Sequence, residues 1–177
     1  MRKVIEEREF HDEDDVLKKM KETSSLLFRF NNTNPASSKH QKLLRRLVDI
    51  GSDSFIRSPF ICDLGSNIHI GSKSMISYNC TFLDMAPIYI GDRVLIGPNC
   101  SLITPTHPLK ASDRHGAAGT ASSIIIEDDA WLAANVTVLK GVRIGKGAVI
   151  AANSLVTKDV EPNTLNSGIP SKRIREL

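Results

Sequence analysis

From residue 124 onward the apolar positions recur every six residues: Ile126, Leu132, Val138, Ile144, Ile150 and Val156. A second row two residues earlier keeps step as Ile124, Ala130, Val136, Val142, Ala148 and Ser154, with polar or turn-forming pairs such as Asp128-Asp129, Ala134-Asn135, Lys140-Gly141, Lys146-Gly147 and Ala152-Asn153 between them. Each hexad therefore reads as a short strand followed by a corner. A period of six fits no amphipathic α-helix, whereas hexapeptide repeats are the signature of a parallel β-helix. A β-sandwich would show strands of unequal length and turns at no fixed spacing. The same lattice appears earlier as Ile90, Ile96 and Leu102 with Ile88, Val94 and Cys100, and before that as Ile70, Ile76 and Phe82. Its phase slips by two residues at Met85-Ala86-Pro87, which reads as a bulged corner. The expected fold is mainly β, a left-handed parallel β-helix with an N-terminal helical segment.

The helical segment is placed at residues 1–52 and the β-helix at 53–177, as one structural unit. Asp12 to Phe30 and Ser37 to Val48 read as helices, with acidic residues 12 to 15 at the first N-terminus, Ser37 or Ser38 as a cap and Gly51 as a C′ glycine. The lattice is interrupted once, by residues 104–123. A long insertion without a pattern of its own is uncommon in a compact repeat and usually functional.

Composition narrows the function classes. With 23 basic and 20 acidic residues and a net charge of +3, the chain lacks the single-sign field that steers nucleic acid or anionic membranes. The N-terminus carries Arg2, Lys3, Glu6, Glu7 and Glu9 with no apolar signal region. No apolar run approaches the ~20 residues of a membrane span. A cytoplasmic protein is expected, with neither nucleic acid nor membrane as partner. Cys62, Cys80 and Cys100 show no CxxC spacing, so they read as buried apolar fillers and no metal is expected.

The stretches Gly65-Ser66-Asn67-Ile68-His69-Ile70-Gly71, Tyr78-Asn79-Cys80-Thr81-Phe82-Leu83-Asp84, Ile90-Gly91-Asp92-Arg93-Val94-Leu95-Ile96-Gly97-Pro98-Asn99, Thr104-Pro105-Thr106-His107-Pro108, Thr157-Lys158-Asp159 and Gly168-Ile169-Pro170 resemble the maltose, galactoside and nodulation O-acetyltransferases. The resemblance spans about residues 10 to 177. It implies acetyl transfer from acetyl coenzyme A to a hydroxyl of a sugar or similar acceptor, in a homotrimer with active sites in clefts between subunits.

Such a transfer needs a base for the hydroxyl proton and a donor for the developing oxyanion. The resemblance makes His107 that base, held between Thr106 and Pro108. A free imidazole titrates near ~6.5, so a basic nitrogen is available at neutral pH. The other histidines, His11, His40, His69 and His115, lie in helical segments, in a repeat corner or elsewhere in the loop. With no Ser or Cys in a nucleophile motif, direct transfer is expected. The acceptor site of the family maps onto Asp12, Asp63, Ser77, Asp84 and Met85, with Trp131 near the base. Coenzyme A maps onto Ala134 and Ala152 through their backbones, onto Thr157 and Lys158, and onto Lys172 and Arg175 for the phosphates.

Several residues depart from the family pattern. Ser77 stands where the family has Asn, residues 117–123 lack its acidic residue and Pro, and Ala133 and Ala151 replace Gly. Another acceptor, such as an antibiotic or serine, or an impaired trimeric scaffold, are the alternatives. Against serine stands the short helical segment, and against a scaffold stand His107 and Thr157-Lys158. A carbonic anhydrase would need three histidines on the coils, and only His69 and His107 are near them.

Overall fold

The computed structural model describes residues 6–10 and 14–177. Two helices, Asp14–Asn31 and Ser38–Leu47, precede a β-solenoid of about six turns whose neighbouring coils pair in parallel. The hexads build three faces. The first stacks Asp49–Ile50, Ile68–Ile70, Ile88–Ile90, Ile124–Ile126 and Arg143–Ile144. The second stacks Phe55–Ile56, Met75–Ile76, Leu95–Ile96, Trp131–Leu132, Val149–Ile150 and Thr164–Gly168, closed by the antiparallel strand Ser171–Glu176. The third stacks Phe60–Cys62, Cys80–Leu83, Ser101–Ile103, Thr137–Leu139 and Leu155–Val156.

Register follows from the repeat, because each inward residue lies over its counterpart one coil away. Ile76 pairs with Ile96, Ile96 with Leu132, and Leu132 with Ile150. All four are fully buried, so losing any of these large side chains to Ala should cost about 2–5 kcal/mol. The corners turn through the left-handed region at Asn79, Asn99, Asn135 and Asn153, with φ of 58°, 59°, 59° and 60°. Asn reaches this conformation more easily than most residues. The polar pairs between the apolar rows are therefore corner chemistry.

The expected boundary after residue 52 falls inside the first coil, since Asp49–Ile50 already pairs with His69–Ile70. Gly51 is no helix cap. A Cβ there would lie 2.7 Å from the backbone carbon of Gly71, and one on Gly71 2.6 Å from that of Gly91, so this column is glycine because successive corners touch. The second helix instead ends at Val48, whose N–H donates to Leu44 O, and begins at Ser37, whose hydroxyl accepts from His40 N at 3.2 Å. The helices cover the open end of the prism, as a repeat array requires. Phe30, Leu43, Leu44 and Leu47 join the core, and Asn31 pairs with both backbone groups of Phe60 at 2.8 and 2.9 Å. Asn31 thus satisfies part of the first strand's free edge.

The excursion is built rather than structureless. Pro105–Thr106 and Gly119–Ser122 run antiparallel, a 3₁₀ turn spans Ala111–Ala117, and Glu7–Phe10 adds a third antiparallel strand to Gly119–Ser122. His69 lies within a strand and not at a corner, 3.1 Å from Asp49 and stacked on Tyr89. No helix among the described residues is long and apolar enough to cross a membrane.

Candidate active site

Two corners carry the chemistry-bearing residues. At the corner from the third face to the first, Asp84 is fully buried and its carboxylate accepts the backbone N–H groups of Asp63 at 3.0 Å, Leu64 at 2.9 Å and Asn67 at 3.3 Å. Its carbonyl accepts from the Asn67 amide at 2.7 Å. Asp84, expected to contact the acceptor, is therefore a positioning residue: both its oxygens are spent on holding the turn one coil below. Burial raises its carboxyl above the usual range, and the three N–H bonds act against that rise. Asp63 on that turn is only partly buried. Burial first, and the Asp84 charge second, push its carboxyl up to about 6. Met85 follows Asp84 and is partly exposed.

The excursion leaves from this same corner. Thr104 anchors its start, donating to Leu83 O at 2.6 Å and accepting from Ala86 N at 3.0 Å. His107 is exposed, with Nδ1 3.0 Å from the carbonyl of Ala118 and the ring of Phe10 edge-on at 5.9 Å. A carbonyl can only accept, so Nδ1 is the donor of this bond, which leaves Nε2 outside it. The contact is to backbone and does not call for a particular side chain at position 118, whereas Gly119 beside it is fixed by packing, since a Cβ there would run into the Phe10 ring. Neither Ala118 nor the strand bearing Phe10 was foreseen, and a carbonyl contact leaves no side-chain signal to read. Thr157 and Lys158 lie exposed at the same corner in the last coils.

The second corner, between the second and third faces, carries Ser77, Ala134 and Ala152. Its column is fixed by ladder bonds: Arg57 N to Ile76 O, Ser77 N to Ile96 O, Gly97 N to Leu132 O, Ala133 N to Ile150 O and Ala151 N to Asn166 O, all 2.8 to 2.9 Å. Trp131 stands on the adjoining second face between Leu95 and Val149, 49% exposed. Lys172 and Arg175 project from the last strand, opposite Ser167 and Leu165. Asp12 lies outside the described residues.

The expected site residues thus form two sets on different corners of one prism, separated by the third face. Buried Cys80 and Cys100 donate to the carbonyls of Gly97 at 3.3 Å and Ala133 at 3.1 Å, and burial pushes the Cys62 thiol up. None of the three thiols is placed to act as a nucleophile. No cluster of His, Cys, Asp and Glu fit for a metal occurs among the described residues.

Coils of six-residue steps, three stacked parallel faces and one built excursion define the fold as that of a hexapeptide-repeat protein. Residues 123–158 match the model of the bacterial transferase hexapeptide (six repeats), and residues 87–107 that of the hexapeptide repeat of succinyl-transferase. The chain is 38% identical to the galactoside O-acetyltransferase of Lactococcus lactis over 97% of its own length and 84% of the relative's. The crystal structure of a maltose O-acetyltransferase from Clostridium difficile is 32% identical, with a TM-score of 0.92 over 96% of this chain and 92% of that one. A hexapeptide-repeat acetyltransferase from Vibrio cholerae, complexed with acetyl coenzyme A, is 36% identical with a TM-score of 0.89 over 94% and 91%. The chain belongs to the galactoside and maltose O-acetyltransferase family of hexapeptide-repeat enzymes.

Proposed function

We propose that the protein transfers acetyl from acetyl coenzyme A directly to a hydroxyl of a sugar-like acceptor, with His107 as general base, at sites formed between copies of the chain in a homotrimer. The observation that carries the reading is the open Nε2 of His107, its tautomer set by the Nδ1–H bond to Ala118. Acetyl coenzyme A would supply the activated acetyl group and leave as the thiol. Nε2 takes the acceptor hydroxyl proton as oxygen attacks the acetyl carbon, and returns it to sulfur as the carbon–sulfur bond breaks. Asp63 offers a carboxyl to acceptor hydroxyls. The small residues Gly97, Ala133, Ala134, Ala151 and Ala152 leave the second corner open to a slender pantetheine chain. Lys158, Lys172 and Arg175 supply charge for the phosphates.

The two halves of the site favour assembly. A cyclic trimer needs two different contact surfaces per subunit. The outer row of the second face is apolar, through Phe55, Met75, Leu95, Trp131 and Val149, with Leu95 and Trp131 43% and 49% exposed, and the third face sets Leu83, Ile103 and Leu139 beside a row that carries Thr81, Ser101 and Thr137. On the first face the outer row instead carries Asp49 with His69, and Arg143, which pairs with Glu127 at the corner. Apolar patches of this kind mark contact surfaces. Light scattering should give three times the 19.4 kDa chain mass.

Thiol release from acetyl coenzyme A, screened across sugars, tests the activity. Co-expression of His107→Ala with Ala134→Trp tests the shared site. Each variant alone is inactive, whereas the co-expressed population regains roughly a quarter of wild-type activity, because about one interface in three of each mixed trimer pairs two intact halves and about three quarters of randomly assembled trimers are mixed. No recovery in mixed trimers would place both halves of the site within one chain.

A further inference from the structure

One coil below Ser77, in the same corner column, stands Arg57. Its guanidinium lies 5.3 Å from the ring centre of Phe55 and 5.2 Å from that of Tyr78, and Nη1 donates to the Tyr78 hydroxyl at 3.1 Å. Arg57 makes no ion pair among the described residues, and no acidic residue lines the cavity it borders. That cavity, of about 290 Å³, is walled by Pro35, His40, Gln41, Phe55, Ser58 and Tyr78, together with Ile56 and Arg57. It is near the lower end of the ~300 to 1,000 Å³ typical of small-molecule sites.

His40 forms part of the cavity wall. It is 3% exposed and stacked on Phe30 at 4.2 Å, yet neither ring nitrogen has a hydrogen-bond partner. An unpaired buried polar atom is costly. Both ring nitrogens are closed to solvent, so His40 walls the cavity with its ring, and the polar group open to a ligand there is the exposed Arg57 guanidinium, partnered by the Tyr78 hydroxyl and by no carboxylate among the described residues. Burial lowers the His40 pKa, so the wall disfavours a charge on this ring.

The column gives the cavity its place in the reaction. Ala133 and Ala151 stand on the coenzyme side of Ser77, and Arg57 stands on the other. At ~4.8 Å per rung, Arg57 lies about 5 Å below Ser77, where the part of the acceptor remote from the reacting hydroxyl would fall. Exposed Tyr78 offers a ring for a sugar to stack on.

Building on the acetyltransferase reading, we propose that the cavity formed by Arg57, Tyr78 and His40 is an acceptor subsite for an anionic group, so that the preferred acceptor is a hydroxylated compound carrying a carboxylate or a phosphate. Arg57 forms the charge-assisted pair, beside the Tyr78 ring and hydroxyl.

The test compares a methyl hexoside, its 6-carboxylate and its 6-phosphate as acceptors for the wild-type trimer. One or both anions should exceed the neutral sugar in kcat/KM by roughly ten- to a hundredfold, the scale of a charge-assisted hydrogen bond. The larger of the two gains identifies the anion. In Arg57→Gln the ratio of anionic to neutral acceptor should fall to about one, and Arg57→Lys should retain part of it, with the KM for acetyl coenzyme A unmoved in both. Circular dichroism and light scattering confirm folded trimers. Turnover of the neutral hexoside with no gain from either anion, or a preference surviving in Arg57→Gln, would overturn the subsite alone. Absence of thiol release with every hydroxyl acceptor would overturn the acetyltransferase reading and the subsite with it.

Discussion

Replacing Asp63 with Asn should stabilise the protein at neutral pH and have little effect near pH 4. Among the described residues the Asp63 side chain makes no hydrogen bond, so the amide loses none. It does lose a charge held in a partly buried corner beside Asp84. That environment raises the Asp63 carboxyl from the usual 3.8 to about 6, through burial first and the Asp84 charge second. Below pH 3.8 folded and unfolded chains both hold the proton, and the group contributes nothing to the pH dependence. As pH rises from 3.8 to 6 the unfolded chain releases it first, so stability falls, and above 6 the full cost is present. A shift of about two units corresponds to roughly 3 kcal/mol, and residual solvation reduces this to about 2–3 kcal/mol. In a chain of this size that is a rise in Tm of about 4–12 °C. Urea unfolding of both proteins from about pH 4 to about pH 7.5, at one fixed protomer concentration, measures the difference as a function of pH. A gain that is flat with pH, or absent at neutral pH, refutes the raised carboxyl. Since the carboxylate is costly to fold, the stabilised variant should also acetylate sugars more slowly if Asp63 binds the acceptor.

His107→Ala should lower turnover by about 10² to 10⁴-fold with little change in acetyl coenzyme A affinity, read by steady-state thiol release. Near-normal turnover in a folded trimer would place the base elsewhere. The Lys172→Gln, Arg175→Gln double variant should weaken coenzyme A more than dephospho-coenzyme A by calorimetry, and equal losses would reject the assignment to the 3′-phosphate. His40→Phe keeps the stack on Phe30 and removes two unpaired ring nitrogens, each worth about 1–3 kcal/mol, so it should raise Tm at neutral pH. Because the folded-state pKa of His40 lies below 6.5, wild-type stability falls as pH drops below that value, and the advantage of Phe should widen on acidification. A constant or shrinking advantage would contradict the lowered pKa.

The coils were legible because packing forces a period: Ile76, Ile96, Leu132 and Ile150 can stack only if six-residue steps bring them to the same inward position. The excursion was visible as the break in that period. What escaped was long-range or ambiguous. Glu7–Phe10 has no apolar alternation to mark it, and its partner Gly119–Ser122 lies more than a hundred residues away. Gly51 follows a helix and begins a glycine column, and the sequence alone cannot separate those roles. Asp84 sits at a family acceptor position, but a carboxylate that binds sugar and one that pins a turn are spelled alike. The Arg57 cavity joins the second helix to two successive coils and has no local motif.

The geometry also explains why a repeat fold would place its chemistry at corners. Inward rows are committed to packing, and strand backbones to the ladders between coils, so only corner residues and insertions can vary without disturbing the stack. Corner residues in one column are spaced by the coil repeat, which turns the column into a ruler: Arg57, Ser77, Gly97, Ala133 and Ala151 span four rungs, about 19 Å at ~4.8 Å each. That length suits two molecules meeting end to end, with a thioester arriving past the alanines and an acceptor past Arg57. His107, the base of the proposed reaction, hangs from a different corner, across the third face. If the reaction runs at Ser77, the proposed trimer must bring the His107 loop of another subunit to it, and dilution to monomers should then abolish turnover while leaving the coils folded.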